Sequence, residues 1–182
     1  YGQNFLISDA SIKKMAEAAE LSHEDTIVEI GPGFGQLTFF ISPRVKRLVV
    51  FEIEKKLDEY WKEKLQEFSN VEMVWGDAIK NLKSFVADFT SSYKVVANLP
   101  YQITSHILRT LLELPRKPTC IVVMVQKEVA ERICAKPGDM SLLAVSVQYY
   151  GQPRIIAKVP KGNFWPMPAV DSAAIIIDCI ED

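Results

Sequence analysis

Apolar residues fall along this chain in short β-branched runs that alternate with longer stretches of helical period. Runs at residues 26–30, 47–51, 71–75, 94–97 and 119–125 have strand composition. Residues 8–20, 36–41, 54–68, 103–113 and 127–135 instead repeat apolar positions at spacings of three and four. In the first of these, Ile12, Met15, Ala16 and Ala19 share one face, and Ser8 or Asp9 is placed to cap it. The alternation predicts an α/β fold, a mostly parallel sheet covered by helices. Two more strands, 154–159 and 173–179, follow late with no crossover helix between them. They predict a hairpin-like antiparallel edge that completes a seven-stranded sheet. Pro166 and Pro168 make residues 163–170 a stiff connecting loop.

The ends of these strands carry the candidate chemistry. Glu29 and Ile30 lead into Gly31-Pro32-Gly33-Phe34-Gly35, a turn in which glycine lets the backbone approach a ligand. About 20 residues on, Glu52 closes the next strand, where an acidic side chain can grip ribose hydroxyls. The strand after that ends in Gly76-Asp77-Ala78, and Asp77 is placed to accept from an adenine amino group. Ligands of open α/β sheets bind outside the carboxyl ends of the strands, where all three segments meet. Gly-x-Gly-x-Gly preceded by Glu29 fits an S-adenosylmethionine pocket better than a dinucleotide site, although an NAD-linked oxidoreductase shares the strand–turn–helix start.

The fourth strand runs into Asn98-Leu99-Pro100-Tyr101. An exocyclic adenine amine is a poor nucleophile because its lone pair is delocalised into the ring. Two oxygen acceptors on its two N–H groups draw the nitrogen toward tetrahedral geometry. Asn98 offers a side-chain carbonyl, and Leu99 a main-chain carbonyl whose geometry the adjacent Pro100 restricts. Tyr101 offers a ring on which an extruded base stacks. No strong general base is needed, since methylation acidifies the nitrogen.

Composition narrows the picture. The chain has 182 residues, 48% of them hydrophobic, and a formal net charge of −2, so any affinity for nucleic acid rests on the site or on a local basic face such as Arg44, Lys46 and Arg47. The longest apolar runs are too short to cross a bilayer. Three widely spaced cysteines, Cys120, Cys134 and Cys179, fit reduced thiols in a cytoplasmic protein rather than a disulfide framework or a zinc site. His23 and His106 stand far apart, and no metal is expected.

The motifs together resemble the ribosomal RNA adenine dimethyltransferases of the KsgA and Erm group, over essentially the whole chain. Gly2-Gln3-Asn4-Phe5-Leu6 is similar to the group's N-terminal cofactor motif, which implies Gln3, Asn4 and Leu6 in the pocket. The segment from Glu29 to Thr38 resembles its glycine-rich motif, with Glu29, Gly31, Gly33 and Gly35 as cofactor residues. Glu52-Ile53-Glu54 resembles the acidic motif that holds the ribose, with Glu54 in place of the more usual Asp. Asp77 and Ala78 fall in the adenine-binding motif, and Asn98 serves both cofactor and acceptor. Phe164-Trp165-Pro166-Met167-Pro168-Ala169-Val170-Asp171-Ser172 is similar to a Phe-x-Pro-x-Pro-x-Val-x-Ser segment, implying Phe164 as a second aromatic wall.

Leu99 and the segment from Val125 to Ile133 resemble the KsgA branch. The resemblance implies a Rossmann-like class I methyltransferase fold. It also implies S-adenosylmethionine as methyl donor, S-adenosylhomocysteine as product, and N6,N6-dimethylation of adenosines in small-subunit ribosomal RNA. The partner would be ribosomal RNA within an assembly intermediate of the small subunit, met by a monomer without metal or membrane. An Erm-like enzyme acting on large-subunit RNA, or a ribosome-assembly factor without catalysis, are the alternatives. Two departures stand out. Pro137-Gly138-Asp139-Met140 passes straight into Ser141-Leu142-Leu143, where the family carries a Tyr-Gly pair. Residues 1–182 are also expected to form a catalytic domain without the family's helical C-terminal domain.

Overall fold

Successive strand residues face opposite sides of a sheet, and in this chain both sides are apolar. The computed structural model describes residues 3–180; Gly2 of the opening motif lies outside them. The elements run β1 (Phe5–Leu6), α1 (Asp9–Ala18), β2 (Thr26–Ile30), α2 (Gln36–Ile41), β3 (Arg47–Glu52), α3 (Asp58–Lys64), β4 (Val71–Trp75) and α4 (Ala78–Ala87). They continue as β5 (Lys94–Asn98), α5 (Thr104–Leu112), β6 (Cys120–Gln126), α6 (Lys127–Ile133), α7 (Leu142–Tyr150), β7 (Gly151–Val159), β8 (Phe164–Trp165) and β9 (Ser172–Cys179).

Seven strands form one sheet in the order β4-β3-β2-β5-β6-β9-β7, and β1 pairs with β8 in a separate two-stranded sheet. Strands β2 to β6 pair in parallel. The late antiparallel pair is present, with one refinement: β9 inserts between β6 and β7, antiparallel to both, and β7 closes the edge. One side of the sheet, including Val28, Phe51, Val95, Val123 and Ile175, packs on α4, α5, α6 and α7. The other, including Ile27, Val50, Val96, Val122 and Ile176, packs on α1 and α2. The fold is therefore the doubly wound α/β arrangement that the alternating pattern predicts.

The structure adds two helices absent from the expectations above. Asp77 starts α4 by accepting a hydrogen bond from the Ile79 amide, 2.9 Å. Ser141 likewise caps α7, whose Leu142, Val145 and Tyr149 stay exposed while Ala144 and Val147 face the core. An apolar residue on every side erases the amphipathic period that reveals a helix in sequence. Ser8, not Asp9, caps α1. Residues 54–68, read as one helix, resolve into a short tight turn at Lys55–Leu57, then α3, then a second turn at Leu65–Glu67.

Strand β7 begins at Gly151 in extended backbone, where an added Cβ would lie 2.8 Å from the Asp178 carbonyl and 2.6 Å from Ile177. At Gly162 a Cβ would meet nothing within 4 Å. Gly151→Ala is expected to lower the unfolding free energy by about 1–3 kcal/mol, the usual cost of overpacking. Gly162→Ala should stay within about 0.5 kcal/mol of the parent, as an open surface site does. Urea titration of both variants checks the contrast.

Candidate functional site

The order of the strands reverses between β2 and β5, because β2 is followed outward by β3 on one side and by β5 on the other. The loops leaving β2 and β5 diverge there and leave a crevice. Two adjoining cavities fill it, and Gln3, Gly31 and Pro100 line both. The first lies between Asn4, Leu6, Glu29, Gln36, Asn98 and Tyr101. The second lies between Glu52, Ile53, Gly76, Asp77, Ala78 and the apolar floor of Ile103 and Ile107.

The glycine-rich turn is shaped by close packing. Gly33 and Gly35 have φ of +56° and +91°, in the left-handed region. A Cβ at Gly33 would fall 2.5 Å from the Phe5 ring, and one at Gly35 2.7 Å from Phe39 and 2.8 Å from Trp61. Trp61 Nε1 donates to the Gly33 carbonyl (3.1 Å), and Tyr60 Oη donates to the Phe34 carbonyl (2.6 Å). Gly33 and Gly35 thus shape the turn, while Gly31 faces the cavities.

Two buried carboxylates brace the crevice. Glu29 is 1% exposed and accepts from the Thr38 hydroxyl of α2 at 2.6 Å. Burial pushes its carboxyl up from 4.5 to about 8, with the Thr38 hydrogen bond opposing and the charge of Glu52 adding to the rise. Glu52 is fully buried as well. Its two oxygens accept from the amides of Glu54 (2.8 Å) and Gly33 (3.3 Å). Burial raises its carboxyl above the ordinary value, and the backbone donors of Glu54, Gly33 and Ile53 pull it back.

At the end of β5, Asn98 Nδ2 donates to the Asn4 carbonyl, 3.1 Å. Only the amide nitrogen satisfies a carbonyl partner, so this bond sets which end of the side chain is which and keeps Oδ1 as an acceptor. Asn4 is itself tied, its Nδ2 donating to the Pro166 carbonyl at 2.7 Å. The Pro100 carbonyl accepts from the Ile103 amide and the Thr104 hydroxyl, both 3.2 Å, and so starts α5. Tyr101 is half-buried, and its hydroxyl meets Ser172 Oγ at 2.7 Å.

The structure brings Gln3, Asn4, Leu6, Glu29, Gly31, Glu52, Ile53, Asp77, Ala78 and Asn98 to Tyr101 together along this crevice. Phe164 is placed elsewhere. Its ring is 3% exposed and packs with Leu6 in the core under β1 and β8, lining neither cavity. Trp165, its neighbour, is exposed. Ile103 and Ile107, which no motif marks, also reach the site, and their spacing of four just after the tetrapeptide is the signal of a helix face turned to it. Ser172, at the end of the proline-rich segment, meets the tetrapeptide through Tyr101.

Among the described residues no group of three or more His, Cys, Asp and Glu could hold a metal, and no helix is long and apolar enough to cross a membrane. Burial holds the Cys120 thiol at about 11 and that of Cys179 at about 12, so neither is a ready nucleophile.

A family model described as ribosomal RNA adenine dimethylase matches residues 1–181. A Dehalococcoides mccartyi protein named ribosomal RNA small subunit methyltransferase A is 44% identical over 97% of this chain and 60% of its own length. A Moorella thermoacetica protein of the same name is 42% identical over 98% of this chain and 65% of its own length. The chain therefore spans about three fifths of the curated relatives it matches. Among solved structures, a dimethyladenosine transferase from Plasmodium falciparum gives a TM-score of 0.84 at 28% identity, over 97% of this chain and 63% of that one. The 23S rRNA methyltransferase ErmE gives 0.83 at 29%, over 98% and 71%.

The raised carboxyl of Glu29 has a measurable consequence. Between pH 4.5 and about 8 the folded chain keeps a proton that the unfolded chain has released. The stability Glu29 lends is complete below that window and is lost as pH rises through it. Glu29→Gln cannot ionise. Its unfolding free energy relative to the parent should rise by about 2–3 kcal/mol from pH 6 to pH 8, at ~1.4 kcal/mol per pH unit. Denaturant titration at the two pH values tests this, and parallel curves would remove the assignment.

Proposed function

The chain belongs to the ribosomal RNA adenine dimethylase family, and from that premise we propose that it transfers methyl groups from S-adenosylmethionine to the N6 amine of adenosines in small-subunit ribosomal RNA. The observation that carries the reading is the bond from Asn98 Nδ2 to the Asn4 carbonyl, which commits the amide nitrogen and leaves Oδ1 to accept. The names of the curated relatives support the small subunit as target, and those relatives are longer than this chain.

The crevice fits the methyl donor by its chemistry. It is rich in acceptors, and its deepest acid, Glu52, is held in place by backbone amides and suits ribose hydroxyls as donors. Asp77 commits Oδ1 to the α4 amide and has a second oxygen for an adenine amine. Ile53, half-exposed, and the Ile103 and Ile107 floor suit the faces of a base. Gly31, Gln3 and Asn4 suit the amino-acid end. The donor, when bound, supplies an electrophilic methyl on a sulfonium, and acceptors with no nearby Lys or Arg in either cavity lining agree with a cationic ligand.

The residues of the tetrapeptide then act on the acceptor. Asn98 Oδ1 and the Leu99 carbonyl each take one N–H of the target amine, which localises the nitrogen lone pair toward the methyl. Tyr101 stacks on the extruded base and fixes its plane. The nitrogen–carbon bond forms as the sulfur–carbon bond breaks, and the surplus N6 proton leaves to water. Rate comes from alignment. After the first transfer one N–H remains, so a second transfer engages only one of the two acceptors. On this reading the chain is the catalytic unit, with ribosomal RNA in an assembling small subunit as its partner.

Asn98→Ala should lower methyl transfer by roughly a hundredfold or more, as misalignment does, and weaken S-adenosylhomocysteine binding by far less than that. Glu52→Ala should do the reverse, weakening that binding by about 10- to 100-fold, the scale of hydrogen bonds to a charged group. Tritiated-methyl incorporation into undermethylated small subunits, large subunits and naked RNA measures the first effect and names the substrate. Calorimetry measures the second. Tight NADH binding with none of S-adenosylhomocysteine sinks the proposal, and labelling confined to large subunits moves it to the Erm-like alternative.

A further inference from the structure

We infer that Ser172 is a positioning residue that pins the Tyr101 ring in its stacking plane; the inference rests on the reading just given. Ser172 opens β9 and is fully buried. Its backbone is clamped on both sides, opposite Gln126 of β6 and Val159 of β7. The residues that follow it inward, Ala173 to Ile177, are all apolar and buried, so a hydroxyl here breaks the pattern of the strand. A buried hydroxyl is costly unless it is paired. Its partner is the Tyr101 hydroxyl at 2.7 Å.

Tyr101 needs such an anchor. It lies in a single tight turn, Tyr101–Ile103, between the end of β5 and α5, and its ring is only half-buried. Its backbone is set locally, by the Pro100 carbonyl and the Ile103 amide. A tyrosine ring turns about two side-chain torsions, the second of them broad, and a flat base stacked on it follows its tilt. Fastening the far end of the ring to the rigid start of β9 removes that freedom. The bond reaches past β6, which stands between β5 and β9, so the sheet acts as a ruler from the Asn98 acceptor to the stacking ring.

The hydrogen bond also explains why a tyrosine stands there, since a phenylalanine offers the same ring face and no tether. The bond counteracts the rise that burial imposes on the Tyr101 hydroxyl, and it keeps that hydroxyl satisfied.

The test is a double-mutant cycle on the full chain with Tyr101→Phe, Ser172→Ala and both together. Each single change should lower kcat for methyl transfer roughly three- to tenfold, the range of one net hydrogen bond. The pair should lose no more than either alone, and Ser172→Thr, which keeps the hydroxyl, should recover most of the rate. S-adenosylhomocysteine affinity should stay at the parent value in all four. Losses that multiply in the double variant, or a Ser172→Ala enzyme with the parent kcat, overturn the inference. Where Ser172→Ala does not fold, Tyr101→Phe removes the same bond from the exposed side, and an unchanged kcat there overturns it too. Parent protein that labels no adenine fails the underlying reading, and this inference with it, and is told apart from the other outcomes by the parent arm alone.

Discussion

Everything at the site follows from one constraint, the reversal of strand order between β2 and β5. The two strands pair in parallel, Ile27 opposite Lys94 and Val28 opposite Val95, so their carboxyl ends stop side by side. Each chain then leaves in a different direction. The glycine-rich turn and the tetrapeptide, far apart in sequence, become neighbouring walls, and Pro100 packs 3.8 Å from where a Gly31 Cβ would stand. Parallel pairing of β3 and β4 beside them adds Glu52 and Asp77 at the same level, because Glu52 lies opposite Trp75, just before the Gly76 turn. No single residue creates the crevice. It is a property of the order in which buried strands lie.

The electrostatics of that crevice are built from acceptors held in place by backbone rather than by counter-charges. Glu52 is fastened by main-chain donors and Glu29 by a hydroxyl, with no cation among their hydrogen-bond partners. Their oxygens are thus held in place without a neighbouring cation competing for them. The same pattern recurs at Asn98, whose donor end is taken by a main-chain carbonyl so that its oxygen is left to accept. Ordinary surface ion pairs, such as Lys62 with Asp58 and Arg109 with Glu113, stay on exposed helix faces, where they contribute little.

Much of this is legible in the sequence. The parallel strands and the motifs at their ends could be read because β-branched runs and glycine turns are local signals, and local signals survive in sequence. The failures are of two kinds. Helix α7 carries Leu142, Val145 and Tyr149 on its exposed side, so its period was masked by apolar residues that the core does not need. Helix α4 had a usable pattern in Ile79, Leu82 and Val86, but Asp77 was read for its ligand and not also as a cap. Phe164 and Ser172 show the harder limit. Both lie in one motif, yet which of them meets the tetrapeptide depends on where β9 inserts into the sheet, a long-range fact that no spacing encodes.

The two-residue strands β1 and β8 join positions 5 and 6 to 165 and 164, the most widely separated strand pairing among the described residues. A ladder of so few bonds cannot meet the chain entropy of that closure by itself, so it forms only on a sheet that already exists. The Asn4 carbonyl that orients Asn98 belongs to this strap. On a ribosome synthesising this chain, the first residues of the pocket must therefore wait for the last. A nascent protein released before β8 would carry every strand-end motif of the parallel half and still lack an ordered acceptor. The order of the Asn98 side chain is thus tied to the completed sheet and not to its parallel half alone.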